Sequence, residues 1–250
     1  MLVSRSFRLG RSRLLGFLDN LALTEDSAVS LYLPREASLT GHEDLLEQIL
    51  APADMPAGMD KLVGRSDTGA VLFWGLARKC LVLPPFPIEE QHVTDGYDVK
   101  PLRSLLGRDF LIALVLVRLG AYSIGICRGE QLVDSKTGTG LVHSRHKKGG
   151  SSQARFARHR EKQIEQFLDR VCGHVREHIE PHARSLDYLV YGGARTTILS
   201  LRKQCPFLRQ FENRILRMLL DIPEPRKAVL EQAVGSIWST DIIEWCEEGL

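Results

Sequence analysis

Residues 109–118 have the sequence Asp-Phe-Leu-Ile-Ala-Leu-Val-Leu-Val-Arg, in which eight consecutive residues are apolar. An apolar run of this length with a charged residue at each end is typical of a strand buried on both faces of a sheet. Two further strands are predicted directly after it, at 121–128 and 131–134, with tight turns at Gly120 and Gly129. The segment therefore predicts a three-stranded antiparallel meander.

A long helix and more α/β elements are predicted after the meander. Across residues 154–179, apolar residues recur at helical spacing with charges between them, and Pro181 ends the pattern. The apolar positions of this helix are Phe156, Ile164, Leu168, Val171, Val175 and Ile179. A buried strand is predicted at 186–191. Further helices are predicted at 196–203, at 209–220 and from Pro225 onward. This order predicts an α/β (α+β) domain with a ribonuclease H-like topology.

The N-terminal part of the chain predicts a smaller α/β region. Its predicted elements are a helix at 11–22, a strand at 29–33, a helix at 43–50, a loop at 51–64 and a hairpin of strands at 69–74 and 79–83. Prolines at positions 84, 85 and 87 end the hairpin. We therefore expect two domains, a small α/β N-terminal domain at 1–98 and a second domain at 99–250.

Composition limits the classes of function. Among 250 residues, 33 Lys and Arg face 31 Asp and Glu, so any attraction to nucleic acid must come from a local cluster. The five cysteines are far apart and form no Cys-x-x-Cys pair, which argues against a zinc knuckle and a secreted disulfide framework. We expect buried free thiols and a cytoplasmic protein. No apolar run approaches the roughly 20 residues of a membrane helix, so we expect no membrane partner.

Positive charge concentrates in residues 145–162. The basic residues there are Arg145, Lys147, Lys148, Arg155, Arg158, Arg160 and Lys162, against the single acid Glu161. A cluster this one-sided in a near-neutral chain indicates a surface that contacts phosphate groups. The simpler interpretation is a solvated helix face joined to a flexible loop, because residues 135–153 are polar, rich in glycine and without periodicity.

Residues 149–153, Gly-Gly-Ser-Ser-Gln, lie within this basic segment. Two glycines allow the backbone to approach another surface closely and to present its N–H groups. The amide of Gln153, placed where the helix begins, both donates and accepts hydrogen bonds, but it does not titrate and cannot act as a general base. Such a loop can hold a water and stabilise an oxyanion, which suits hydrolysis of an activated ester.

The residues around this loop resemble the central domain of the eukaryotic and archaeal class-one release factors. In those proteins a Gly-Gly-Gln loop leads into an Arg-Phe-Ala-Arg helix, and here Gly149-Gly150 precedes Arg155-Phe-Ala-Arg158. Aligned without gaps, the glutamine of this chain lies two positions later than in Gly-Gly-Gln. That placement is similar to the Vms/ANKZF-type release-factor-like hydrolases of ribosome quality control, whose loop has glycines, serine and then glutamine.

The resemblance implies a peptidyl-tRNA hydrolase that acts on a stalled ribosome or large subunit. Its partners would be peptidyl-tRNA and large-subunit rRNA, and it would act as a monomer with neither a metal nor an organic cofactor. Gln153 would be the catalytic residue, and Gly149 and Gly150 would shape the loop. The residues implied to contact RNA are Arg145, Lys147, Lys148, Ser151, Ser152, Arg155, Arg158 and Arg160. No codon-reading motif of the Asn-Ile-Lys-Ser type occurs between Met1 and Cys80, so release would be codon-independent.

Alternatives to ester hydrolysis stay open at this point. Some members of the resembled group cut within the terminal CCA of the tRNA. The basic loop could also belong to a non-catalytic ribosome- or rRNA-binding module, since phosphate contact explains the charges without any chemistry. A two-metal nuclease is disfavoured because it needs clustered carboxylates, and only Asp134 and Asp187 are candidates for a pair. Acids at strand ends are usually solvated or capping.

Three histidines offer a second candidate metal site. His174, His178 and His182 recur every four residues, a spacing at which helical histidines can bind a metal. No carboxylate or cysteine is grouped beside them in the sequence, and Pro181 breaks the helix before the last one. We therefore expect a solvated helix edge there.

Overall fold

The structure is a computed structural model that describes residues 2–24, 27–35, 56, 58–142 and 152–247. The chain divides into two compact units. One unit consists of Met1–Arg108 together with Ile237–Leu250, and the other is Asp109–Ser236. The first unit is therefore larger than the predicted domain 1–98. It also includes a helix at 100–107 and a strand at 240–247.

Eleven strands and six α-helices occur in the described residues. The strands are β1 (Leu2–Leu9), β2 (Ala28–Leu33), β3 (Ala70–Gly75), β4 (Lys79–Leu83), β5 (His92–Asp95), β6 (Leu111–Arg118), β7 (Ala121–Arg128), β8 (Gln131–Thr139), β9 (Tyr188–Gly193), β10 (Ile215–Leu220) and β11 (Thr240–Glu247). The helices are α1 (Arg11–Ala22), α2 (Met59–Gly64), α3 (Lys100–Gly107), α4 (Ser152–Ile179), α5 (Arg195–Gln204) and α6 (Lys227–Ile237). None of these helices combines the length and the apolar character that crossing a membrane would require.

The first unit is an antiparallel sheet with a buried layer on each face. Its strands lie in the order β1-β11-β4-β3-β2-β5. Because side chains alternate along a strand, Val71 and Phe73 of β3 pack with helices α1 and α3 on one face, whereas Leu72 and Trp74 pack with α2 on the other. The predicted helix at 11–22 and the predicted hairpin of β3 and β4 are confirmed.

One prediction for the N-terminal part is wrong, and another is not tested. The loop predicted at 51–64 is wrong at its end, because helix α2 forms there and buries Met59 and Val63 against the sheet. The helix predicted at 43–50 lies outside the described residues.

Strand β11 completes the first sheet from the far end of the chain. It pairs with β1 on one side and β4 on the other, both antiparallel. Ile242 faces the layer of α1 and α3, and Ile243 and Trp245 face the layer of α2. This burial on both faces explains why residues 240–247 pair in the first sheet instead of continuing the second unit.

The second unit has the predicted α/β arrangement. Its sheet has the strand order β10-β9-β6-β7-β8. Strands β6, β7 and β8 form the antiparallel meander, and β9 and β10 run parallel to β6. Helix α4 packs against β7 and β8, and helix α5 packs against β9 and β6. This is the ribonuclease H-like topology that the order of elements predicts.

Two elements of this unit were predicted wrongly. Residues 209–220 do not form a helix, because Pro206–Arg214 is a 3-10 helix and Ile215–Leu220 is strand β10. Their apolar spacing fits a helix, but parallel pairing with β9 and burial of Leu216 and Leu220 favour the strand. Likewise β8 continues to Thr139 by pairing with β7, so the predicted loop at 135–153 begins later than expected.

The cysteines also depart from expectation. Cys172 on α4 and Cys205, directly after α5, form a disulfide, with Cα atoms 5.5 Å apart and a sequence separation of 33. Packing of α5 against α4 brings the two residues together, which their distance in sequence does not reveal. Cys80 and Cys127 are buried free thiols, as predicted, and burial raises the pKa of each to about 12.

Candidate functional site

Helix α4 has two parts with different surroundings. At about 1.5 Å per residue, its 28 residues extend over about 42 Å. Residues 163–179, here called the anchored segment, bury an apolar stripe against the sheet. The buried residues of that stripe are Phe167, Leu168, Val171, Val175 and Ile179. Residues 155–162, here called the basic segment, include five consecutive exposed residues at 155–159.

The basic segment carries an exposed aromatic ring among its cations. Phe156 is 59% exposed, although its spacing predicts a place in the buried stripe, and that prediction is wrong. The stripe begins only at the half-buried Ile164 and the buried Phe167, so the helix has not yet reached the sheet at Phe156. Arg155 and Arg158, which precede and follow Phe156 in the sequence, are exposed as well. Cations interleaved with an exposed aromatic are typical of single-stranded RNA contacts.

The charge of the basic segment opposes the stability of its own helix. The N-terminus of a helix carries a partial positive charge, so acidic residues stabilise the first turn and basic residues do not. Helix α4 has no acidic residue in its first turn, and Arg155 and Arg158 lie in its first two turns. A bound anion would reverse this unfavourable arrangement, because phosphate groups bind well at helix N-termini. Local sequence that opposes local stability often marks a functional site.

The structure places only part of the predicted catalytic loop. Helix α4 begins at Ser152, so Gln153 lies in its first turn, as expected from the sequence. Residues 143–151 and the side chains of Ser152 and Gln153 lie outside the described part of the structure. The predicted site residues that fall there are Arg145, Lys147, Lys148, Gly149, Gly150 and Ser151.

The chain approaches this loop through a fixed end of β8. The N–H of Gly140 donates a hydrogen bond to the carbonyl oxygen of Gly120, at 2.9 Å. A Cβ atom on Gly140 would lie 2.6 Å from Cδ2 of Phe167, and a Cβ atom on Gly138 would overlap the Tyr122 side chain. Glycine therefore fits at 138, where β8 lies against Tyr122 of β7, and at 140, where the chain leaving β8 passes Phe167 of α4. The segment before the loop and the helix after it are packed against each other.

Polar contacts secure the anchored segment to the sheet. The Nδ1–H of His178 donates to a carboxylate oxygen of Asp134 on β8, at 2.6 Å. The ring of His174 stacks on Tyr122 of β7, with centroids 5.5 Å apart, and its Nδ1 lies 3.0 Å from a carboxylate oxygen of Glu177. This hydrogen bond from His174 lowers the pKa of Glu177. His174 and His178 are half-buried and paired, so the prediction of a solvated helix edge is wrong for both.

The two acids weighed for a metal site have structural partners. A carboxylate oxygen of Asp187 accepts a hydrogen bond from the backbone N–H of Leu111, at 2.7 Å, and Asp134 is paired with His178. Among the residues that the structure describes, no three His, Cys, Asp or Glu side chains are grouped to hold a metal ion. Asp187 therefore caps the start of β6, as an acid at a strand end usually does.

Comparison with known families identifies the second unit. Residues 111–243 match the family described as Actinobacteria/chloroflexi VLRF1 release factor, from the first residue of β6 into β11. The chain belongs to this VLRF1 release factor family. The matched region contains the sheet of the second unit, both segments of α4 and the Gly-Gly-Ser-Ser-Gln sequence.

Curated relatives of this VLRF1 family member are archaeal release factors. Peptide chain release factor subunit 1 of Archaeoglobus fulgidus is 26% identical over 113 residues, which cover 45% of this chain and 28% of the relative. Its counterpart from Aeropyrum pernix is 27% identical over 190 residues, which cover 64% of this chain and 50% of the relative. The matched segments thus span at most half the length of these two relatives.

A similar solved structure is that of the archaeal translation termination factor aRF1. It aligns with 91% of this chain and 71% of its own chain, at 17% sequence identity and a TM-score of 0.41.

Proposed function

We propose that this VLRF1 family member releases nascent peptides from peptidyl-tRNA on stalled ribosomes or large ribosomal subunits, independently of the codon. The observation that carries the proposal is the basic segment of α4, an exposed cationic and aromatic surface directly after Gly149-Gly-Ser-Ser-Gln153. Membership of a release factor family supports the same activity.

In the proposed reaction Gln153 is the catalytic residue and water is the nucleophile. The Gln153 amide holds the water against the ester carbonyl that joins the peptide to the terminal ribose. Attack breaks the bond between the carbonyl carbon and the ribose oxygen, so the peptide leaves as a carboxylic acid and the ribose oxygen takes the proton. Backbone N–H groups around Gly149 and Gly150 stabilise the oxyanion. Because glutamine does not titrate, the acceleration comes from positioning and electrostatic stabilisation.

Binding would come from the cations on both sides of the loop. Arg155, Arg158 and Arg160 contact rRNA and the tRNA acceptor end, and Phe156 stacks on an unpaired base. The proposed contacts on the loop itself are Arg145, Lys147, Lys148, Ser151 and Ser152. Affinity that depends on phosphate contacts falls steeply with salt. The protein would act as a monomer in the cytoplasm without a cofactor.

The decisive experiment compares Gln153→Ala with Gln166→Ala in a release assay. Both glutamines lie on α4, and Gln166 is exposed on the anchored segment, so the control removes the same side chain outside the proposed site. With labelled peptidyl-tRNA on stalled ribosomes, we expect Gln153→Ala to lose about 10²–10³-fold in rate, the magnitude typical of a lost transition-state donor. Ribosome affinity should stay unchanged in both variants.

Electrophoresis of the tRNA and peptide products of this assay distinguishes ester hydrolysis from the alternatives. A shortened tRNA 3′ end would indicate cleavage within the CCA instead of ester hydrolysis. Salt-sensitive ribosome binding without release by the wild type would identify a non-catalytic rRNA-binding module.

A further inference from the structure

A groove runs between helix α5 and the edge strand β10 of the second unit. Helix α5 packs over β9 and β6, which leaves β10 to extend beyond it at the edge of the described sheet. The groove has a volume of about 590 Å³. Arg195, Ile198, Leu199 and Arg202 line it from α5, and their spacing places them on one helix face. The opposite wall is formed by β10 residues 215–219.

The groove exposes apolar surface on both walls. Leu199 is 53% exposed on the helix and Leu219 is 40% exposed on the strand. Ile198, in the same lining, is buried. Leaving large apolar side chains exposed to water on two facing walls is unfavourable in free energy. Apolar patches of this kind, with polar residues around them, often mark a docking surface.

The charge of the groove is positive. Arg202 is neutralised by Glu212, whose two carboxylate oxygens lie 2.5 and 2.8 Å from its Nη2 atom. Arg195 and Arg217 are both exposed and have no carboxylate partner among the described residues. The lining therefore carries two positive charges that are not balanced within the groove.

A buried hydroxyl group lies in the same lining. Tyr191 is only 4% exposed, and its hydroxyl has no hydrogen-bond partner in the part of the chain that the structure describes. Buried polar groups are nearly always paired, and an unpaired one calls for an explanation. Burial raises the pKa of Tyr191, so the hydroxyl stays protonated at neutral pH and keeps an unused hydrogen-bond donor at the base of the groove.

The backbone of β10 favours an extended ligand. Within the described sheet β10 pairs with β9 alone, so its outer edge presents backbone N–H and C=O groups. An extended peptide can hydrogen-bond to such an edge as an additional strand, and alternate side chains then enter the neighbouring groove. An RNA strand would satisfy the arginines but neither the backbone edge nor the exposed leucines.

We propose that an extended acidic peptide of a partner protein binds this groove by adding a strand to β10. Its aliphatic side chains contact Leu199 and Leu219, and its carboxylates pair with Arg195 and Arg217. The inference does not depend on the proposed release activity, because none of these residues belongs to the loop or to the basic segment of α4.

The test starts from a displayed library of random 12-residue peptides, panned against the full chain. We expect enrichment of sequences that combine Asp or Glu with aliphatic residues. The enriched peptide, synthesised with a fluorescein label, is then titrated with wild type and with the double variant Arg195→Glu/Arg217→Glu. We expect the double variant to bind at least tenfold more weakly. The matched control is Arg184→Glu/Arg209→Glu, which makes the same charge change at exposed arginines outside the groove and should leave affinity unchanged.

Strand addition is tested with N-methylated versions of the same peptide. Methyl groups on alternate backbone nitrogens remove the ladder hydrogen bonds in one register and leave them intact in the other, so one version should lose binding and the other should keep it. Three results would overturn the proposal. They are absence of an acidic and aliphatic consensus, equal weakening by the two double variants, and binding of a 12-nucleotide oligouridylate at these arginines without any peptide binding.

Discussion

The two segments of α4 are one continuous helix, yet they differ in burial, charge and partners. The anchored segment buries five apolar side chains, is bonded to α5 through Cys172, and holds β8 through His178. The basic segment is exposed and carries four Arg and Lys residues against one Glu. An isolated helix as short as the basic segment (residues 155–162) is unstable in water, because starting a helix costs more free energy than extending it. The anchored segment therefore supplies the stability that the basic segment lacks, and it fixes the direction in which the cations are presented.

The sharpest test of this difference substitutes one phenylalanine in each segment. Phe167→Ala removes a buried ring that packs against Gly140 and Tyr122, and we expect it to lower the free energy of unfolding by about 3–5 kcal/mol. Phe156→Ala removes an exposed ring, and we expect a change within about 0.5 kcal/mol. Urea denaturation measures both. Similar losses in the two variants would show that the basic segment is packed as firmly as the anchored one.

The disulfide gives the next largest expected effect. Cys172→Ser opens a loop of 33 residues, and the lost restriction of the unfolded chain should lower the free energy of unfolding by about 4 kcal/mol. Treating the wild type with a thiol reductant should produce the same loss, and the variant should not respond to it. If reductant leaves the free energy of unfolding of the wild type unchanged, the disulfide does not stabilise the anchored segment.

Charge reversal in the basic segment should separate binding from stability. We expect Arg155→Glu/Arg158→Glu to weaken ribosome binding about 100-fold. The slope of log affinity against log salt concentration should become less steep by about 1–2. The free energy of unfolding should not fall, because acids near the start of a helix are favourable. Co-sedimentation with large ribosomal subunits measures the binding. The matched control is Arg170→Glu/Arg176→Glu, which makes the same charge change in the anchored segment. Equal loss of binding in both variants would mean that overall charge, and not the basic segment, attracts the ribosome.

The smallest expected effect is at the contact between His178 and Asp134. Asp134→Asn replaces the carboxylate acceptor at 2.6 Å from Nδ1 with a neutral amide, and we expect the free energy of unfolding to fall by about 1 kcal/mol. Release and ribosome binding should be unaffected, since the contact lies far along α4 from Gln153. A loss of release activity without unfolding would instead place Asp134 in the functional site.

Much of the second unit could be predicted because its signals are local. The apolar run at 109–118 and the periodicity of 154–179 depend only on neighbours in sequence, and both elements form as predicted. Strand β10 could not be predicted, because its apolar spacing fits a helix and only pairing with β9 selects the strand. The pairing of β11 with β1 and the disulfide depend on residues distant in sequence, which periodicity does not report.

The sequence predicts the positive charge of the candidate site but not which of its side chains are exposed. The excess of Arg and Lys over acids is a matter of composition, and a long helix carries them as predicted. Periodicity assigned Phe156 and Leu168 alike to the apolar face of a helix, yet Phe156 is exposed and Leu168 is buried. Whether an apolar position is buried depends on how far the sheet extends beneath the helix, and the helix's own sequence does not encode that distance.

The position of β11 has a consequence for the order in which the chain folds during synthesis. Strands β1 and β4 are made early, but β11, which lies between them, is made last of the strands that the structure describes. Translation proceeds from the N-terminus, so the second unit can complete its core while the first sheet still lacks a strand. Until residues 240–247 emerge, β4 has an unpaired edge of the kind that promotes aggregation. The N-terminal unit is thus first to be synthesised and last to be finished.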